Sequence, residues 1–283
     1  MRILLAMIRG AIALVTALAL YGAASAADVV HFRSAELASK ASGQDDRNKG
    51  NGFPIWGHLA RPDREGSLPA VVMMHGCGGM QQAHFEWASL LNELGYVTLV
   101  VDSFRPRSVI RVCTSDGRPT APAQRALDAY GALAYLQGLP GIDPDRISLI
   151  GWSHGGIAAL EAVNAKGISR QFDSGFNSAA AFYPYCIPDR EFDIPVLVLI
   201  GEADDWTPPE LCRTLADRNR ASGMLELVTY PDAFHGFDNE DFSEGFFVSG
   251  ASGGRHWLQY DRTAHADSAK RITDFLAEHL MSR

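Results

Sequence analysis

Residues 147–156, Ile-Ser-Leu-Ile-Gly-Trp-Ser-His-Gly-Gly, constrain this chain more than any other stretch. Ile147 to Ile150 is a short β-branched run of the kind buried in a sheet, and Ile157 to Ala165 is rich in Ala, Leu and Glu, as in a helix. Ser153 stands at the apex between them, flanked by glycines. A strand that turns sharply into a helix leaves no room for side chains beside the apex, which accounts for Gly151 and Gly155. The helix start also aims free N–H groups and a positive dipole end at the space beside Ser153.

The remainder repeats this alternation. Strands are expected at Val29–Phe32, Ile55–Ala60 (an edge strand), Leu68–His75, Val97–Val101, Ala179–Tyr183, Val196–Ile200 and Leu225–Tyr230. Most are solidly apolar, as strands covered on both faces are. Helices are expected near 83–94, 121–139, from Pro208, and 264–280, and the Gly-rich stretch 245–254 reads as an irregular surface excursion. The fold class that follows is α/β, a doubly wound, mostly parallel sheet of about eight strands with helices on both faces.

In such sheets, ligands bind beyond the carboxyl ends of the strands. His75, Asp102, Ser153, Asp204 and His235 each follow a strand. A serine hydroxyl is a poor nucleophile unless a base takes its proton, and the base needs an acid to orient it. Of nine histidines, His235 alone sits just past the last strand on a loop beside a glycine. Asp204, three residues after Gly201 and ahead of Thr207-Pro208, is the acid, while Asp205 suits a cap or first-turn position of the next helix. Ser153, Asp204 and His235 are therefore the candidate catalytic set, in the chain order of α/β hydrolases. Two backbone N–H groups are needed for the developing oxyanion, and those of His154 and Cys77 are the candidates.

Residues 1–26 read as a leader outside the fold: Arg2 and Arg9, an apolar run from Ala11 to Ala23, then Ala24-Ser25-Ala26 as a cleavage site. That run is short for a membrane span, so a periplasmic or secreted protein is expected, with residues 27–283 as one catalytic domain. Without the leader the net charge of −8 becomes −10, against a nucleic-acid or anionic-membrane partner. No metal-ligand spacing of the H-E-x-x-H kind is present, and no cofactor is expected.

The motifs together resemble the dienelactone hydrolase family over roughly residues 53–280: H-G-C-G-G at 75–79, D-P-D-R-I at 143–147 leading into G-W-S-H-G-G, G-E-A-D-D-W-T-P at 201–208 and F-H-G-F at 234–237. The resemblance implies an α/β-hydrolase fold, a Ser153–Asp204–His235 triad and cofactor-free hydrolysis of small esters or lactones. Three positions depart from the family's name-giving members, which use Cys where this chain has Ser153. Those members also carry Glu where it has Gly76, and Arg four residues after the histidine, where it has Asn239.

On this fold, Cys77 with Cys113 and Cys186 with Cys212 are the expected disulfides of an oxidising compartment. A free Cys77 or a Cys77–Cys186 link are the alternatives. Trp206, Phe104, Tyr185 and Phe237 are expected to line the substrate pocket. Trp152 is expected beneath the site, packed into the core. Arg105, Arg107 and Arg111 follow the fourth strand, and Arg105 is the expected carboxylate contact. An exopeptidase, a polyester hydrolase and a non-catalytic exported binding protein stay open as other readings.

Overall fold

The computed structural model describes residues 27–37, 52–114, 120–250 and 253–281; the expected leader and the charged patch at 44–49 lie outside them. Eight strands form the main sheet: β1 (Asp28–Arg33), β2 (Pro54–Ala60), β3 (Leu68–Met74), β4 (Val97–Asp102), β5 (Ile142–Trp152), β6 (Ala179–Phe182), β7 (Val196–Gly201) and β8 (Leu225–Tyr230). Their order is β1-β2-β4-β3-β5-β6-β7-β8. β2 runs antiparallel to both neighbours, and every pairing from β4 to β8 is parallel.

Every residue of β4, β6 and β7 is buried, because helices cover the sheet. The covering helices are α1 (Gln82–Glu93), α2 (Pro122–Gln137), α3 (His154–Ala162), α4 (Pro209–Arg218) and α5 (Arg262–Leu280). α2 and α3 pack against each other, while α1 and α5 meet through Trp87 and His265, whose rings lie 5.8 Å apart. This is the α/β-hydrolase arrangement.

Two expectations need correction. β2 is not the edge of the sheet: β1 pairs along its whole length and takes the edge instead. The stretch 245–254 is not wholly irregular either. Phe246–Ser249 and Arg255–Leu258 pair antiparallel as a hairpin, β9 and β10, with the described glycines confined to its connection and to Gly245. Leu258 bridges to His235, which seats the hairpin over the carboxyl ends of the strands.

Candidate active site

β5 ends at Trp152 and α3 begins at His154, leaving Ser153 alone in the turn with φ 52° and ψ −116°. That left-handed conformation is costly for any residue with a side chain. It is enforced by packing on both sides. A methyl group on Gly151 would stand 2.1 Å from the Gly155 carbonyl oxygen, and one on Gly155 would stand 2.1 Å from that of Met74. Ser153 N–H donates to Phe182 O at 2.9 Å, tying the apex to β6.

His235 lies in the loop after β8 and reaches back to the apex. Its Nε2 stands 2.9 Å from Ser153 Oγ, and its Nδ1 stands 2.8 Å from Asp204 Oδ2. With the carboxylate as acceptor, Nδ1 carries the proton and Nε2 is left to accept from the serine hydroxyl. Asp204 follows β7 and is held in turn. Its Oδ1 accepts from the N–H groups of Trp206 and Thr207, both at 2.9 Å, and its Oδ2 accepts from Thr207 Oγ1 at 2.8 Å. Burial alone would raise the Asp204 carboxyl. The facing His235 and the Thr207 hydrogen bonds outweigh burial and hold it below the usual carboxylate range.

The loop after β3 closes over the serine: a methyl group on Gly76 would lie 3.6 Å from Ser153 Cβ. Cys77 in this loop is joined to Cys113, and Cys186 is joined to Cys212. The first bridge is part of the pocket wall, and Val112 N–H donates to Cys77 O at 2.8 Å beside it.

The pocket above Ser153 has a volume of about 250 Å³. Of the residues read as substrate contacts, only Trp206 lines it. Phe104 and Phe237 are fully buried beneath the site, the first against His75 and the second against Tyr183 and Tyr230. Tyr185 is 46% exposed and outside the lining. Arg105 turns to Asp102, and Arg107 binds Asp128 through two nitrogens, so Arg111 is the arginine at the pocket.

The apolar wall comes instead from Trp152, Tyr183, Phe242, Phe246, Val248 and Leu258, four of them on or just before the hairpin. Trp152 serves the core as well, since its indole N–H donates to buried Asp238 at 2.7 Å. The signal available for the hairpin was the pair Phe-Phe-Val-Ser and Arg-His-Trp-Leu, outweighed by the glycines between.

Among the described residues, no group of three or more His, Cys, Asp and Glu is placed to hold a metal ion. No described helix is long and apolar enough to cross a membrane.

The model of the dienelactone hydrolase family matches residues 55–280. The chain belongs to that family. It is a carboxylic ester hydrolase by this membership. A Bradyrhizobium protein named "Probable 2-oxo-3-(5-oxofuran-2-ylidene)propanoate lactonase" is 26% identical over 215 residues, covering 69% of this chain and 84% of that protein. Among solved structures, the dienelactone hydrolase-like promiscuous phosphotriesterase P91 from metagenomic libraries is similar with a TM-score of 0.64. It is 19% identical and covers 89% of this chain and 98% of its own. Esterase 2 of Thermogutta terrifontis, phosphoramylated by tabun, has a TM-score of 0.60 and 18% identity, covering 90% of this chain and 96% of its own. At such identities the two structures speak for the fold.

Proposed function

We propose that this family member is a serine hydrolase of small neutral esters or lactones, working through an acyl-enzyme on Ser153. The observation that carries the reading is the continuous chain of hydrogen bonds Ser153 Oγ–His235–Asp204, at 2.9 and 2.8 Å. His235 Nε2 takes the hydroxyl proton as Oγ attacks the carbonyl carbon, and the imidazolium that forms is stabilised by Asp204. The tetrahedral oxyanion is received by the N–H groups of Cys77 and His154. His235 then gives its proton to the departing alkoxide. Water, deprotonated by the same nitrogen, hydrolyses the acyl-enzyme, so no cofactor enters the cycle.

The pocket favours small substrates. About 250 Å³ walled by aromatic and aliphatic side chains suits a short acyl or aromatic group. Arg111 offers one guanidinium at the pocket, and the position four residues after His235 is Asn239 rather than a second arginine. A substrate carboxylate would have a single clamp. Residues 1–26 are proposed as a cleaved leader and residues 27–283 as the exported catalytic domain, a setting that suits two disulfides.

The test compares kcat/KM for p-nitrophenyl acetate and butyrate with that for a cis-dienelactone at neutral pH. Faster turnover of the neutral esters is expected. A clear preference for the dienelactone that disappears in Arg111→Ala would overturn the substrate assignment.

A further inference from the structure

Behind the loop after β3 lies a charged residue that the mechanism above does not use. Arg125, on α2, has no exposed surface. Its shortest polar contacts are to a carbonyl and an imidazole, and the nitrogen on the carbonyl also lies 3.4 Å from His75 Nδ1. One terminal nitrogen donates to His75 O at 2.6 Å and the other to His154 Nδ1 at 2.9 Å. Its guanidinium also stands 4.8 Å over the Phe104 ring. The nearby Asp128 carboxylate is already bound by Arg107 and by Ser34 Oγ. A buried guanidinium without a carboxylate of its own is costly, and burial lowers its pKa to about 9.

Its two acceptors sit on the two halves of the oxyanion site. The bond to His75 O fixes the peptide plane that opens the Gly76-Cys77 loop. The next plane is fixed as well: His75 Nε2 accepts from Ser103 N–H at 3.3 Å, so the ring proton sits on Nδ1 and is donated to Gly76 O at 2.7 Å. The 3.4 Å approach of Arg125 to Nδ1 is a contact between two donors rather than a bond. Because the peptide is trans, holding the Gly76 carbonyl against His75 turns the Cys77 N–H the opposite way, away from that buried ring. Since a guanidinium only donates, His154 Nδ1 must accept, so the ring at the head of α3 is neutral and carries its proton on Nε2. Both imidazoles are held far below their ordinary pKa by burial first and the Arg125 charge second, which keeps them as acceptors.

We infer that Arg125 is a positioning residue for ester hydrolysis: its guanidinium ties the loop after β3 to the head of α3. The tie sets the spacing of the Cys77 and His154 N–H groups and leaves a fixed positive charge behind the oxyanion they receive. The inference rests on the acyl-enzyme reading above. It also gives the buried charge a partner, since negative charge develops in front of it only in the transition state.

Two variants test it, Arg125→Met and His154→Ala. The second removes one acceptor at a half-buried position and decides the matter by itself if the first does not fold. Each is assayed for kcat and KM on p-nitrophenyl butyrate, and for inhibition by an alkyl trifluoromethyl ketone and by the matching methyl ketone. The trifluoromethyl ketone forms a tetrahedral oxyanion on the enzyme, whereas the methyl ketone imitates the bound ester. Loss of one oxyanion donor typically costs about 100- to 1,000-fold in kcat, so displacing donors is expected to cost about 10- to 100-fold. KM and methyl-ketone affinity should stay within about threefold, and trifluoromethyl-ketone affinity should fall in step with kcat. Folded His154→Ala or Arg125→Met protein with wild-type kcat, or with both ketones weakened alike, would overturn the inference. A phosphonate label on Ser153 of the wild-type enzyme keeps these outcomes separate from failure of the acyl-enzyme reading itself.

Discussion

Asp238 is a buried carboxylate on which three donors from separate elements converge, so its removal should cost the fold heavily. It lies in the loop after His235 and is 3% exposed. Its Oδ2 accepts from the indole N–H groups of Trp87 at 2.8 Å and Trp152 at 2.7 Å, and its Oδ1 accepts from Tyr183 Oη at 2.7 Å. Those three rings come from α1, from the residue before Ser153 and from the end of β6, so one carboxylate joins the helix layer to the turn between β5 and α3. Asp238→Ala leaves three buried donors without acceptors, at about 1–3 kcal/mol each and less than additive. Removing a buried negative charge returns part of this. A net loss of about 3 kcal/mol follows, which for a domain of this size lowers Tm by roughly 6–12 °C. Asp238→Asn keeps an oxygen for the two indoles, and Tyr183 can turn its hydroxyl to accept from the amide, so about 1 kcal/mol is expected there. Calorimetry of the three proteins at pH 7.5 measures both. A Tm drop under about 3 °C for Asp238→Ala, or equal losses for the two variants, would refute the three-donor account.

Two further outcomes are expected. Replacing Cys77 and Cys113 together by serine should cost about 2–4 kcal/mol of stability and also lower kcat, because this bridge holds the loop over Ser153. The Cys186 and Cys212 double serine variant should lose similar stability with kcat unchanged, and urea unfolding beside ester turnover separates the two. His84, buried at the pocket, has its pKa lowered to about 4, chiefly by burial. The unfolded chain therefore binds a proton below about pH 6.5 that the folded one refuses, so stability falls as pH drops from 6.5 toward 4. Urea midpoints from pH 7.5 to 4.5 should show the wild type losing about 2 kcal/mol more than His84→Asn; parallel curves would contradict this.

Local sequence carried the sheet well, because strands buried on both faces must be apolar throughout, as β4 and β7 are. The meeting of Ser153, Asp204 and His235 was legible for a related reason: the first two follow strands with buried apolar ends, the third follows the half-buried β8, and the parallel topology brings these strand ends together. Pocket walls follow no such rule. Phe104 and Phe237 stand at strand or loop ends in sequence, yet both turn down into the core. Phe246, Val248 and Leu258 reach the pocket through a hairpin that is seated over the site by the bridge from Leu258 to His235, a contact between segments far apart in sequence. Arg125 was hidden because a lone arginine in an alternating helix ordinarily marks a solvated face. Only the positions of His75 and His154 in the fold give it its acceptors.

The central claim is that Ser153 becomes the acyl carrier. Incubation with a p-nitrophenyl alkylphosphonate followed by peptide mass spectrometry tests it most directly. One phosphonyl group per chain on Ser153 is expected, with p-nitrophenol released in equal amount and esterase activity lost in step. In Ser153→Ala the label should be absent and turnover lower by about a thousandfold or more. A label on any other residue, or full turnover by Ser153→Ala, would contradict the account.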